Sequence, residues 1–248
     1  GNKDISKKII DRTINLMRNR GPDASNFKKF NFKNNQVLLV HSRLSIIDLD
    51  KRSDQPFIDN GVCLIFNGEI YNYIELRDHL IKKGHKFKTN SDTEVILKSY
   101  QQYGEDCVKY FEGMWAFAIW DDNLKKLFMS RDRFGEKPLY FYKNNEGIFF
   151  SSETKFIKSL SEDTFYANKE KLNKLFVSGY RSIHQDNSSF IERIHSVEPS
   201  TNLSISSRRE FKKYSYWKIN SKIDTTLKLE DIINESRLKL IQSMKLRL

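Results

Sequence analysis

The segment Met114–Trp120 restricts the fold of this 248-residue chain more than any other part of its sequence. It reads Met-Trp-Ala-Phe-Ala-Ile-Trp, so the residues on both sides of an extended chain are apolar. A strand of this kind has to be covered on both faces, which happens in the interior of a layered structure. The sequence therefore predicts a central strand that lies between two packed layers.

Apolar periodicity and turn residues divide the remainder of the chain into short elements. Helical spacing predicts helices at residues 4–19, 71–83, 92–104, 153–159, 168–178 and 227–247. Alternating or continuous apolar runs predict strands at residues 37–48, 61–67, 114–120, 126–131, 138–143 and 147–151, with shorter ones near 190–194 and 201–206. Residues 181–189 are predicted to form a polar loop.

Two of these elements carry polar residues in informative places. The odd positions of the strand at 37–48 include His41 and Arg43, so its second face can present Arg43 while the first face packs. Ser91 is predicted to cap the helix at 92–104, with Glu94 completing a capping box. Asp92 then lies in the first turn, where the helix dipole favours a carboxylate.

Composition argues against several classes of protein. The formal net charge is +11, but acidic residues interrupt the basic ones throughout, whereas nucleic-acid binding concentrates positive charge on one face. No apolar run has the length of a membrane span, and the polar first residues do not resemble a signal peptide. Cys63 and Cys107 show no metal-binding or disulfide pattern. We therefore expect a cytoplasmic protein with two buried, inert thiols.

The segment Leu64–Asn72 combines an apolar run with the polar triplet Asn67-Gly68-Glu69. We predict that a strand ends in a sharp turn here, which places the triplet at the edge of the sheet. The Asn67 amide and the Gly68 N–H are two donors suited to a developing oxyanion, and the Glu69 carboxylate can hold an amine. Asn-Gly is also a strong hairpin signal, so a plain β-turn is the alternative for this segment alone.

Four motifs occur in a fixed order: Arg20–Asp23 (Arg-Gly-Pro-Asp), His41–Asp48 (His-Ser-Arg-Leu-Ser-Ile-Ile-Asp), Asn67–Asn72 (Asn-Gly-Glu-Ile-Tyr-Asn) and Ser91–Glu94 (Ser-Asp-Thr-Glu). Together they resemble the glutaminase domain of glutamine-hydrolysing asparagine synthetases, and more broadly the class II, N-terminal-nucleophile (Ntn) glutamine amidotransferases. The segments Arg131–Tyr140 and Phe150–Glu153 extend the resemblance, which covers residues 15–217.

The resemblance implies an α+β fold, a four-layer αββα sandwich of two antiparallel sheets as in Ntn hydrolases. It also implies a glutamine site. Arg43 would bind the α-carboxylate, Glu69 and Asp92 would hold the α-ammonium, and Asn67 and Gly68 would form the oxyanion hole. The backbone of Leu44, Ser45, Ile46 and Ile47 would line the same pocket. No metal ligand is implied.

Simpler interpretations of these residues remain open. Arg43 could form an ordinary surface ion pair, and Asp92 could be merely an acid in a first helical turn. His41 is expected to support strand packing and not to act as a base.

The start of the chain departs from the family. There the nucleophile is a cysteine at the mature N-terminus, on a strand ahead of the first helix, and its α-amine is the base. Here Gly1 comes almost directly before the first predicted helix. We expect the first strand, the thiol and the amine to be missing from this chain, which would be inactive alone. Because the other pocket residues are all in place, a trimmed start is preferred to a dead natural protein.

We expect a type 2 glutamine amidotransferase domain over residues 1–206, followed at 207–248 by a connector and the first helix of a synthetase domain. The expected function is hydrolysis of glutamine to glutamate and ammonia for the ATP-dependent amidation of aspartate. No cofactor is expected in this segment; ATP and Mg²⁺ are implied for the synthetase domain. Expected partners are glutamine and that C-terminal domain, with a homodimer left open and neither nucleic acid nor membrane expected.

Two alternatives remain. One is a class II amidotransferase for another acceptor, such as a sugar or a cell-envelope precursor. The other is a non-catalytic relative that lacks the N-terminal cysteine.

Overall fold

The computed structural model describes residues 4–33, 35–180, 186–208, 210–219, 221, 226 and 228–247. The helices are α1 (Lys7–Met17), α2 (Tyr73–Lys82), α3 (Asp92–Tyr103), α4 (Thr154–Ser161), α5 (Lys169–Ser178) and α6 (Leu229–Lys245). The strands are β1 (Ala24–Phe32), β2 (Asn35–Arg43), β3 (Phe57–Asp59), β4 (Val62–Ile70), β5 (Gly113–Asp121), β6 (Lys126–Arg131), β7 (Tyr140–Lys143), β8 (Ile148–Ser151), β9 (His195–Ser196), β10 (Thr201–Ile205) and β11 (Phe211–Ser215).

The predicted αββα sandwich is confirmed. One antiparallel sheet has the strand order β11-β10-β6-β5-β4-β3, and it is faced by the two-stranded sheet β1-β2 and the three-stranded sheet β8-β7-β9. One cluster of buried apolar side chains joins the six-stranded sheet to α2 and α3, and a second lies between the sheets. A third packs α1 and α4 against β7 and β8. The described residues thus form two central β layers with helices on both outer faces.

Strand β5 lies inside the six-stranded sheet, as its sequence predicts. Its residues Trp115, Phe117 and Ile119 pack towards α2 and α3. Its residues Ala116 and Trp120 pack between the two sheets. Burial on both faces explains why no polar residue interrupts the run.

Strands β1 and β11 lie in segments where the sequence predicts no strand. Both are edge strands that carry lysines, in the sequences Ala-Ser-Asn-Phe-Lys-Lys-Phe-Asn-Phe and Phe-Lys-Lys-Tyr-Ser. Lysine on an edge strand discourages pairing with other molecules, and it also obscures the apolar alternation. The predicted strand near 190–194 is wrong: Ile191 forms only an isolated bridge there, and β9 follows it. Of the predicted loop at 181–189, residues 181–185 lie outside the described residues.

The predicted turn at Asn67–Glu69 is wrong, because these residues continue β4 and pair with Met114–Ala116 of β5. The hairpin turn lies instead at Asn60 and Gly61, between β3 and β4, where both residues have positive φ. The chain has two Asn-Gly pairs, and the turn is formed by Asn60-Gly61 and not by Asn67-Gly68.

The cap of α3 is confirmed, since the Ser91 side chain accepts a hydrogen bond from the Thr93 N–H at 3.1 Å. Glu94 does not complete a capping box. Its buried carboxylate accepts instead from the N–H groups of Lys88 and Thr89, at 3.0 and 2.7 Å. Glu94 therefore fastens the preceding loop to α3, and this loop leads directly to the candidate site.

Candidate functional site

A cavity of about 710 Å³ lies between the two sheets. Strands β2, β4, β5 and β8 and the loop after β2 all contribute to its wall. The predicted site residues Arg43, Leu44, Ile46, Ile47, Asn67, Gly68, Glu69 and Asp92 border it. Ser45 does not; its N–H donates to the Asp23 carboxylate at 2.7 Å. Residues from three separate sequence motifs therefore meet in one cavity.

Strand β4 directs Asn67 and Glu69 into the cavity. Alternate side chains of a strand share a face, and Cys63 and Ile65 on the same face pack between the sheets. Asn67 Nδ2 donates to Ser152 Oγ, just after β8, at 3.3 Å. One hydrogen of that amide is used in this contact, which leaves the other for a ligand.

The N–H groups of Phe66 and Ile70 point away from β5. Phe66 donates to Gln55 Oε1 at 2.6 Å, and Ile70 donates to Asp92 Oδ2 at 3.1 Å. Gly68 lies midway between them, and alternate residues of a strand direct their N–H groups to the same side. The Gly68 N–H therefore points to the same edge, between Gln55 and Asp92. It is placed as an oxyanion donor would be, although that role stays a prediction.

Only glycine fits at position 68. Its φ is +155°, and a Cβ atom added there would lie 2.1 Å from the carbonyl oxygen of Met114. The close approach of β5 thus fixes the residue type, independently of any role in chemistry.

Arg43 ends β2, and the loop that follows wraps its guanidinium group. Nη1 donates to the Asp50 carbonyl at 3.2 Å and to Asp54 Oδ1 at 2.8 Å. Nη2 donates to the carbonyls of Ile47, at 3.3 Å, and Asp48. The strand predicted at 37–48 therefore stops at Arg43, because the next carbonyl groups turn towards the guanidinium instead of a neighbouring strand.

Asp92 is a buried carboxyl at the start of α3. Burial raises its pKa from 3.8 to about 6, and the negative charge of Glu69 acts in the same direction. The Ile70 N–H and the Ser91 hydroxyl donate to its two oxygens and limit the rise. An ammonium group placed beside it would favour the ionised form.

Two residues to which the sequence assigned no role in the site, Gln55 and Asp48, hold it together. Gln55 accepts from the Phe66 N–H and donates to Thr93 Oγ1 at 3.3 Å, which joins β4 to α3. Asp48 Oδ2 accepts from the Asn90 N–H at 2.7 Å, which joins the loop around Arg43 to the start of α3. Gln55 belongs to no motif, and the motif that ends at Asp48 does not indicate which group Asp48 contacts, so only the folded contacts reveal these roles.

Neither cysteine of the chain borders the cavity. Both are buried, and burial raises the pKa of the Cys63 thiol to about 12 and raises that of Cys107 as well. Such thiols stay protonated and are poor nucleophiles.

His41 is neutral, because burial lowers its pKa to about 4, and its Nε2 donates to the Phe66 carbonyl at 3.1 Å. It links β2 to β4, in agreement with a packing role.

The described part of the chain contains no group of three or more His, Cys, Asp or Glu residues arranged to bind a metal ion. No described helix has the length and apolar character needed to cross a membrane.

Comparisons with known proteins identify the family of this chain. Residues 1–217 match the family described as glutamine amidotransferase domain. The chain is 35% identical over 265 residues to a Methanocaldococcus jannaschii protein named as a glutamine-hydrolysing asparagine synthetase, covering 99% of this chain and 50% of that protein. It is 36% identical over 220 residues to glutamine-hydrolysing asparagine synthetase 1 of Bacillus subtilis, covering 87% and 33%. The chain thus spans about half, or less, of these relatives.

Among solved structures, the glutamine phosphoribosylpyrophosphate amidotransferase of B. subtilis, complexed with ADP and GMP, matches with a TM-score of 0.52 at 20% identity. The match covers 75% of this chain and 36% of that one. At this identity the likeness supports the fold alone.

Proposed function

Because the chain belongs to the family of glutamine amidotransferase domains, we propose that its cavity binds glutamine and releases ammonia from the side-chain amide. The observation that carries this proposal is the meeting of Arg43, Asn67, Gly68, Glu69 and Asp92 around one cavity. A free amino acid has a carboxylate and an ammonium group on one carbon. Arginine can bind the first, and two carboxylates can bind the second.

The proposed chemistry is covalent. A cysteine thiolate adds to the side-chain amide carbon of glutamine, and the Asn67 amide and the Gly68 N–H donate to the oxygen of the tetrahedral intermediate. The C–N bond breaks, and the nitrogen leaves as ammonia with the proton that the thiol gave up. Water then cleaves the thioester, which releases glutamate and restores the thiol.

The thiol of this reaction comes from a cysteine that leads a segment ahead of α1, because Cys63 and Cys107 are buried away from the cavity. Two features support this part of the proposal. Strands β2 and β8 both border the cavity. Among the described residues β2 pairs only with β1, and β8 pairs only with β7, so each strand has one edge without a strand partner. An extended segment can add to such edges through main-chain hydrogen bonds.

The test compares the present chain with a version that begins in a cysteine-led strand. Only the extended protein is expected to release ammonia from glutamine. Arg43→Ala in that protein should raise KM by ~100-fold, since a hydrogen bond between charged groups is worth about 1.5–3 kcal/mol. Asp106→Ala, which breaks the exposed Asp106–Lys109 ion pair at 2.8 Å, is the control. An unchanged KM in the Arg43 variant would contradict the proposed site.

The ammonia is proposed to serve a second domain in the full protein. This chain spans 33–50% of the asparagine synthetases described above, and residues 207–248 would connect to a domain that uses ATP and Mg²⁺ to amidate aspartate. A cytoplasmic location belongs to the same proposal. Asparagine formed by the full protein from aspartate, glutamine and ATP would support it, and amidation of another acceptor instead would overturn the choice of aspartate.

A further inference from the structure

Asp54 contacts the guanidinium of Arg43 without bordering the cavity that Arg43 lines. The Nη1–Oδ1 distance is 2.8 Å, and the side chains of Arg43 and Asp54 are 7% and 23% exposed. The pair is thus largely shielded, and a shielded ion pair is stronger than an exposed one. Asp54 is placed to act on a ligand only through Arg43.

The hydrogen bonds of Arg43 leave one edge of its guanidinium open. A guanidinium has five N–H donors, and the four on Nη1 and Nη2 have acceptors in the loop. No described residue accepts from Nε. The longest of the four bonds, to the Ile47 carbonyl at 3.3 Å, is made by Nη2, which shares an edge with Nε. A carboxylate placed at this edge would contact Nε and Nη2 together, in exchange for one of the two bonds that Nη2 makes to the loop.

We propose that Asp54 is a positioning residue, which holds Nη1 and so presents the Nε–Nη2 edge of Arg43 to the substrate carboxylate. The inference rests on the proposed binding of glutamine. The other groups that contact Nη1 and Nη2 are neutral carbonyls, and a bond to a carboxylate is roughly twice as strong as a neutral one. Asp54 therefore dominates the orientation of the guanidinium.

The test measures binding of two ligands by NMR titration of the chain. L-glutamine has the α-carboxylate, and 4-aminobutanamide is the same molecule without it. Asp54→Ala is expected to weaken glutamine ~10-fold and to leave 4-aminobutanamide unchanged, because the second ligand makes no use of Arg43. In an Arg43→Ala background, Asp54→Ala should have no further effect on glutamine. Asp106→Ala is the control for loss of a surface ion pair.

Each outcome separates the positioning role from the proposed function. If Arg43→Ala weakens glutamine and Asp54→Ala does not, the positioning role is overturned and the glutamine site stands. If Asp54→Ala weakens both ligands equally, Asp54 is structural and the inference fails. If the wild-type chain binds no glutamine, the proposed function fails and the inference with it.

Asp54→Asn provides the same test if the alanine variant does not fold. The asparagine oxygen can still accept from Nη1, but the charge is removed. We expect glutamine to bind ~3-fold more weakly than in the wild type and 4-aminobutanamide to bind equally. Equal glutamine binding in this variant and the wild type would show that the charge is not needed.

Discussion

Burial and hydrogen bonding act on the pKa of Asp92 in opposite directions. Burial raises its pKa to about 6, above the 3.8 that it has when exposed. Between these two values the folded chain binds more protons than the unfolded chain, so the free energy of unfolding falls as pH rises from about 4 to 6. At neutral pH the ionised carboxyl therefore costs stability, and an ammonium ligand would recover part of that cost.

Replacing Asp92 with Asn should separate stability from binding. We expect Asp92→Asn to raise the free energy of unfolding at pH 7 by about 1–3 kcal/mol, because a shift of one pKa unit corresponds to about 1.4 kcal/mol. Glutamine affinity should fall at the same time. Urea denaturation and calorimetry at pH 7 measure the two effects, and a variant less stable than the wild type would contradict the assigned cost.

The pH profile gives a second readout of the same residue. Below pH 6 the wild-type Asp92 gains a proton, so its attraction for an ammonium group declines and the Kd for glutamine should rise. The Asp92→Asn variant should show a flat profile between pH 5 and 7. Parallel profiles in the two proteins would assign the titration to another group.

The loop of residues 44–54 is folded around the side chain of Arg43. Its carbonyls turn inward to Arg43. Asp48 accepts from the Ser53 hydroxyl within the loop at 2.9 Å, and from the Asn90 N–H just before α3 at 2.7 Å. The two sides of the cavity that we propose to bind the carboxylate and the ammonium group of glutamine are therefore joined by Asp48. Neither side can move far without the other.

Loosening this connection should expose the loop to proteolysis. Lys51 and Arg52 are exposed trypsin targets within it. Asp48→Ala is expected to increase the rate of cleavage after these residues ~10-fold, because a loop opens more often when the hydrogen bonds that hold it are removed. Asp106→Ala should leave the rate unchanged. Cleavage of Asp48→Ala at the wild-type rate would show that the loop is held without Asp48.

Sequence reasoning succeeded where a property depends on residue type, as in the doubly buried strand β5, and failed where it depends on distant partners. The amide of Asn67 and the carboxylate of Glu69 are the same in a turn and in a strand, so the chemistry proposed for them does not depend on which of the two forms. Their conformation could not be inferred, because β5 extends the pairing from another part of the chain. The end of β2 depends on the Arg43 side chain, and Asp54 and Gln55 gain their importance from contacts alone.

At the scale of the whole molecule, the packed sandwich extends past residue 206, where the sequence predicts the end of the first domain. The position of the domain boundary stays a prediction. Strand β11 pairs with β10, and Tyr216 stacks on Trp115 at 6.0 Å and donates to the Arg131 carbonyl at 2.9 Å. Helix α6 has no buried residue, and the Arg247 guanidinium that follows it lies 4.6 Å from the Tyr71 ring. Packing therefore assigns β11 to the sandwich and leaves α6 outside.

Two truncations test this assignment. A chain that ends at residue 219 should melt within ~3 °C of the full chain, because the cation–π interaction between Arg247 and Tyr71 is worth about 0.5–1 kcal/mol. A chain that ends at residue 210 is without β11 and Tyr216 and should melt at least ~10 °C lower. Differential scanning calorimetry gives both values. A large decrease in Tm from the first truncation would mean that α6 belongs to the folded unit.

The lysines of the outer strands have a practical consequence for self-association. Lys28 on β1 and Lys212 and Lys213 on β11 are exposed, so two copies meeting edge to edge there would bring like charges together. Strands β2 and β8 border the cavity and contain no lysine. Concentrated solutions of this domain should therefore begin to aggregate through the cavity edges, and a peptide that occupies them should keep the protein monomeric.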